Sequence, residues 1–221
     1  MSLLILASLL WLAVHIGIAG TAMRDRLASS RGEQRFRGEF AVAAAAALAF
    51  LLYSYGGAER TPLWSVPGWF VVVVDLAMLA AFVMLANGAM PQPGADRPHA
   101  EPRGIFRVTR HPLMSAVLLW SGAHLLANGD TASIVFFGTF ALTVLFGLPS
   151  IDAKLERRDP ARAATLFRST SRVPFGAILE GRNHLELAEI GWFPTLAALV
   201  AWVVVLHFHT SAFGVSALPV W

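Results

Sequence analysis

The residues best able to do chemistry in this chain are histidines set in or beside apolar sequence. The stretch Arg107-Val-Thr-Arg110-His111-Pro112 is basic and water-facing, and it passes straight into an apolar run that carries His124. A helix places that second imidazole about 20 Å beyond the first. An ionisable side chain in hydrocarbon costs roughly 2.5 kcal/mol or more when charged, so His124 is a functional candidate by default. His15 is another, inside the first apolar run. By helical rise His15 lies about 18 Å from one membrane face and His124 about 16 Å from the other. Across ~30 Å of hydrocarbon their depths then differ by only a few ångströms. Two neutral imidazoles at one depth are what a metal, or a haem iron, takes as axial ligands. Polar packing residues hydrogen-bonded to neighbouring helices would give the same pattern.

Three further groups belong to the candidate set. His111, flanked by Arg107 and Arg110 at the cytoplasmic boundary, could hold an anion such as a haem propionate or a phosphate, or could snorkel at the interface. Asp75 follows Val71 to Val74 within an apolar run. A carboxylate there needs a partner, the simplest being the second ring nitrogen of a ligating histidine. His207 and His209 sit with Trp202 and Phe208, as an interfacial belt does. His99 and His184 lie in polar loops, and the methionine spacing shows no thioether ligand pattern beyond core packing.

The elements that must position these groups are membrane helices. With 221 residues, 56% apolar and 14% charged, the chain has too little polar surface for a water-soluble domain. Apolar runs at 3–22, 39–55, 66–86, 113–128, 131–150 and 187–209 predict an all-α polytopic bundle of about six spans in one domain, 1–221. The fourth run is short. Lys and Arg number five, one, four, none and seven in successive loops, so sixteen of seventeen fall on one side. This predicts cytoplasmic loops at 87–110 and 151–186, both termini periplasmic, and a multi-pass protein of the bacterial inner membrane. The pI of about 10.2 therefore reflects orientation, not nucleic-acid binding. The first run lacks a basic leader region, which favours a retained helix over a cleaved signal. With no cysteine, disulfides, thiolate metal sites and a cysteine nucleophile are excluded.

Breakers crowd 87–102, which reads as a linker, and Pro112 opens the fourth span where its missing N–H does no harm. Asn128-Gly129 ends that span and Asp130 caps the next, predicting a tight hairpin. From Ile151 to Glu186, mixed charge with Leu155, Leu166, Phe167 and Ile178 predicts one or two amphipathic helices broken at Asp159-Pro160. They would lie along the bilayer surface, their arginines toward acidic headgroups.

His15-Ile-Gly, Arg107-Val-Thr-Arg-His-Pro-Leu-Met, Trp120-Ser-Gly-Ala-His124, Asn128-Gly-Asp130 and Arg172-Val-Pro-Phe-Gly-Ala-Ile178, in this order and spacing, carry a resemblance. The chain resembles the NnrU family of bacterial membrane proteins and, more distantly, the plant and cyanobacterial zeta-carotene isomerases. That resemblance implies haem b, its iron held by His15 and His124, and isomerisation of a central cis double bond in a carotenoid. It also implies a link to nitrite and nitric oxide respiration, with a respiratory or redox partner. The chain departs from the isomerase pattern at Ser121, where a cysteine is the proposed substitute ligand.

Three functions compete. The first is a haem-binding membrane protein that isomerises a hydrophobic polyene, with Asp75 as orienting acid and Arg107, Arg110 and His111 facing propionates. The second, from a likeness of Arg-His-Pro and Glu156 to isoprenylcysteine and phospholipid methyltransferases, is a membrane methyltransferase using S-adenosylmethionine. There the tyrosine usual soon after His-Pro is replaced by Met114. The third is a haem carrier, nitric oxide sensor or assembly factor using the same two histidines.

Overall fold

The computed structural model describes residues 1–91 and 101–218. His99 and most of the Pro-rich linker lie outside them. In chain order the helices are α1 (Ser2–Leu12), continuing into a π-helical turn (Ala13–Ile18), α2 (Ala22–Arg31), α3 (Glu33–Gly56), α4 (Gly68–Ala89) and α5 (Ile105–Val108). They continue with α6 (Pro112–Asn128), α7 (Thr131–Arg158), α8 (Pro160–Ser169), α9 (Gly176–Leu179) and α10 (Trp192–Phe213). Among the described residues the only strand-like pairing is a single bridge between Pro62 and Asp130.

The all-α bundle is as expected, but the span count is lower than six. Among the described residues, α3, α4, α7 and α10 are long and apolar enough to cross a membrane, and the α1 arm with α2 makes a fifth if counted as one span. That arm bends by 75° near Gly20. α6 has 17 residues, about 26 Å of helix against ~30 Å of hydrocarbon. α7 runs past its apolar stretch to Arg158, carrying Pro149 within it.

Contacts divide the chain into two units, Met1–Ser65 with His124–Ile151, and Val66–Ala123 with Asp152–Trp221. In the first, α1 packs on α3, Trp11 Nε1 donates to Thr143 Oγ1 at 2.9 Å and Ser150 Oγ to the Gly20 carbonyl at 2.8 Å. The turn into α7 forms as its residues predict. Gly129 has φ of +61°, and a Cβ there would lie 2.1 Å from the Trp64 carbonyl oxygen, so only glycine fits. Asp130 accepts from the Ser133 N–H at 2.9 Å, capping α7.

In the second unit α4 and α10 lie along each other, stitched by Asn87 where α4 ends and α10 begins. Its amide donates to the Val83 carbonyl at 3.0 Å and Thr195 Oγ1 at 3.1 Å, and its oxygen accepts from the Gly191 N–H at 3.0 Å. Beside it Ala81, Met84, Ile105, Val108 and Ala116 form a buried cluster. The break at Asp159-Pro160 is real, since Asp159 caps α8 by accepting from the Arg162 N–H. Asn87→Leu would orphan the Gly191 donor, and it should cost about 1–3 kcal/mol. Thermal unfolding in detergent should show the lower midpoint.

Candidate functional site

His15 and His124 fall in the same unit, and each is held by aromatic rings. His15 occupies the π-helical turn, a distortion that recurs at functional sites. Its ring stacks on Trp11 at 3.9 Å between centroids and meets the edge of Phe40 at 5.6 Å. Its Nδ1 pairs with the Trp11 carbonyl at 3.0 Å. A carbonyl can only accept, so Nδ1 carries the proton and Nε2 presents a lone pair. The orienting bond on His15 thus comes from its own helix, in the place sequence analysis gave to Asp75. His124 stacks on Phe137 at 4.9 Å.

The rings between them are continuous, Trp11 touching Phe140 at 5.2 Å, Phe140 touching Phe136 at 5.3 Å, and Phe136 touching Phe137 at 5.0 Å. Trp11, on which His15 stacks, meets α7 at Thr143 and Phe140, and His124 meets it at Phe137, positions within about two turns, ~9 Å of rise. Among the described residues no three His, Asp or Glu side chains converge as a metal cluster. An imidazole with Nδ1 protonated by a fixed carbonyl bond, in aromatic surroundings, is the donor a haem iron takes. His15 and His124 are therefore the residues here that could hold haem b.

Arg107, Arg110 and His111 are brought to carboxylates of the protein itself. Asp152 on α7 is 1% exposed. It accepts from Arg110 Nε at 3.1 Å, from His111 Nε2 at 2.7 Å and from Arg172 Nε. Arg110 also donates to the Thr170 carbonyl at 3.0 Å and lies over the Phe167 ring at 4.5 Å. Arg107 forks onto Glu189, Nε to Oε2 at 2.7 Å and Nη2 to Oε1 at 3.3 Å, and reaches Asn183 Oδ1 at 2.9 Å. A propionate or phosphate would have to compete with these bonds.

Their electrostatics follow from the same contacts. Hydrogen bonding to Arg107, then to the Gly104 N–H and Arg103, holds Glu189 down at about 2. Burial pushes His111 below its ordinary value despite Asp152, whose charge is already shared with Arg110 and Arg172. His111 is therefore a neutral donor to Asp152 near pH 7.

Asp75 lies on α4 in the second unit. His209 Nδ1 pairs with the Val215 carbonyl at 2.8 Å and His207 meets Phe208. Sequence reasoning missed Asp152 and Glu189. Asp152 could have been noticed as an acid just past the fifth apolar run, on the same face of the membrane as Arg110 and His111.

Comparison with known proteins adds relatives. A family model described as NnrU protein matches residues 3–217. The 15-cis-zeta-carotene isomerase of Arabidopsis thaliana chloroplasts is 33% identical over 190 residues, covering 80% of this chain and 50% of that protein. The enzyme of the same name from Zea mays is 29% identical over 197 residues, covering 82% and 52%. The chain spans about half the length of these curated relatives. No solved structure matches.

Asp152→Asn would leave two guanidinium groups facing no counter-charge, and should destabilise by about 3–5 kcal/mol. The pH profile has a defined sign. Because His111 titrates below 6.5 in the fold, the unfolded chain takes its proton first. Stability should be flat above pH 6.5 and fall below it. Glu189 adds a second loss from pH 4.5 toward about 2. Unfolding midpoints against pH in detergent check both, and His111→Gln should diminish the upper step while leaving the acidic loss in place.

Proposed function

The chain belongs to the NnrU family, and on that footing we propose that it is a haem b-binding integral membrane protein acting as a cis–trans isomerase of a carotenoid-like polyene. One observation carries the reading: His15 in its π-helical turn, Nδ1 committed to the Trp11 carbonyl and Nε2 left with its lone pair. His124 of the same unit supplies the second imidazole. The names of the plant relatives supply the reaction class.

When bound, haem iron supplies a site that can coordinate a conjugated double bond and lower its rotation barrier. What the chain's own residues do is narrower. The Trp11 carbonyl fixes the tautomer of His15, and stacking on Trp11 and Phe137 fixes the planes of the two imidazoles. The aromatic run between them keeps water out and offers π surface to a polyene. Ser121 is fully buried and donates to the Leu118 carbonyl of its own helix. It provides no thiolate where the isomerase pattern has cysteine, so that position would offer no sulfur donor to a bound haem.

The same ligands would serve a nitric oxide sensor or an assembly factor of nitrite respiration. The proposed setting is a bacterial inner membrane with both termini periplasmic and the basic loops cytoplasmic. The methyltransferase alternative gains nothing from His111, whose Nε2 is given to Asp152.

Protein purified in detergent should carry a haem absorption band that sharpens into two visible bands on reduction. His15→Ala and His124→Ala should each lose or shift them while staying folded by circular dichroism. Colourless protein after expression with excess haem precursor would overturn the proposal. Given bound haem, conversion of a cis-carotenoid against a shift with nitric oxide separates enzyme from sensor.

A further inference from the structure

The stretch Arg172-Val-Pro-Phe-Gly-Ala-Ile178 belongs to the second unit and takes no part around His15 and His124. From Val173 to Leu179 the chain carries no charge, with Arg172 before it and Glu180 and Arg182 after it. Within this turn Val173 is 67% exposed, Phe175 47% and Leu179 85%. Three large apolar side chains standing out of one short turn are unfavourable in water. Phe175 adds a cost of its own, because its φ of +64° is the only positive value outside glycine among the described residues. A bulky side chain is strained there. The neighbouring α8 differs, since Ala163 is buried and Phe167 lies under Arg110, so its apolar side is taken up by the protein.

The position of the turn indicates what its apolar side chains meet. Phe175 N–H donates to the Val108 carbonyl at 2.8 Å, and Val108 packs with Ala81 and Met84 of α4. Those two residues precede the end of α4 at Ala89 by about 8 to 12 Å of helix. α4 is long and apolar enough to cross a membrane, and its 22 residues span about 33 Å against ~30 Å of hydrocarbon. Ala81 and Met84 therefore lie at hydrocarbon depth, and the turn sits beside them. Its backbone suits such a place, where irregular chain must find its hydrogen bonds within the protein. Pro174 has no N–H. The N–H of Val173 donates to Ser171 Oγ at 3.1 Å, that of Gly176 to the Val173 carbonyl at 3.0 Å, and that of Leu179 to the Phe175 carbonyl at 2.9 Å.

We propose that Val173 to Leu179 forms a wedge set into one leaflet of the bilayer, its partner being the acyl chains beside α4. Val173, Phe175 and Leu179 meet hydrocarbon, while Arg172 and Arg182, both partly exposed, stay at the level of the lipid headgroups. The wedge ties α5 and the Asp152 cluster to the membrane, since Phe175 is bonded to Val108 and Arg172 to Asp152. It does not depend on haem.

Because the chain has no cysteine, a single nitroxide can be placed at Leu179→Cys in the full chain, reconstituted in phosphatidylcholine–phosphatidylglycerol vesicles. Power saturation then compares collisions with oxygen, which concentrates in hydrocarbon, and with a water-soluble nickel chelate. Leu196→Cys, on the exposed face of α10, serves as the lipid reference, and Arg157→Cys, past the apolar part of α7, as the aqueous one. The oxygen-to-nickel ratio at residue 179 should match that at residue 196 and be several times that at residue 157. A ratio like that at residue 157 would put the turn in water and overturn the proposal. Shielding from both reagents would overturn it equally, by showing that a second copy or another protein covers the turn. Val173→Cys gives an independent reading should Leu179→Cys misfold.

Discussion

Asp152 carries a full negative charge at a place almost sealed from water, and one end of the second unit is arranged around that fact. A lone buried carboxylate would be far too costly to ionise. Two guanidinium groups and an imidazole converge on it from Arg110, Arg172 and His111, and they come from two separate stretches of chain, with α7 as the third. Satisfying one charge therefore fixes where α6 begins, how far α7 extends past its apolar part, and where the 170–172 segment crosses. Backbone contacts follow the same seam. Arg110 N–H donates to the Ser171 carbonyl at 3.1 Å, and Thr109 Oγ1 to the Arg172 carbonyl at 3.1 Å.

The same rule operates wherever a polar group meets hydrocarbon, since the bilayer offers no hydrogen bonds. Asn87 uses its donor and its acceptor to bind α4 to α10. Tyr55 and Ser133 pair at 3.0 Å, and Ser133 donates to Asp130 at 2.7 Å, joining the end of α3 to the start of α7. His15 turns its proton onto a carbonyl of its own helix, and the hydroxyls of Ser8 and Ser54 are left over in the packing. The first use of a polar atom is structural. That contrast makes the Nε2 of His15 informative.

Much of this was legible in the residues. Apolar runs located the long helices, with α3 starting six residues earlier and α7 ending eight later than the apolar sequence, because the cost of exposing backbone to lipid leaves helix as the only local solution. Gly129 and Asp130 announced their turn, and Asp159-Pro160 announced the break, since caps and breakers act through neighbours in sequence. His15 and His124 stood out because imidazoles are rare in hydrocarbon. What stayed hidden depends on distant partners. Asp152 meets Arg110 and Arg172 at separations of 42 and 20 residues, and no local pattern encodes that choice. The 75° bend of the first arm and its π-helical turn were equally unreadable, since apolar periodicity is the same in a straight helix. The short α6 and the bent arm explain why six apolar runs yield four or five candidate spans.

Each unit is assembled from two stretches of chain with the other unit's sequence between them. This has a consequence for biogenesis. The Asn87 amide awaits Thr195, 108 residues downstream, which at ribosomal speed means roughly 5 to 20 s between synthesis of the two. During that interval α4 has to wait with the Asn87 bonds to Thr195 and Gly191 unmade. A nascent chain stalled before α10 would be a natural target for membrane quality control.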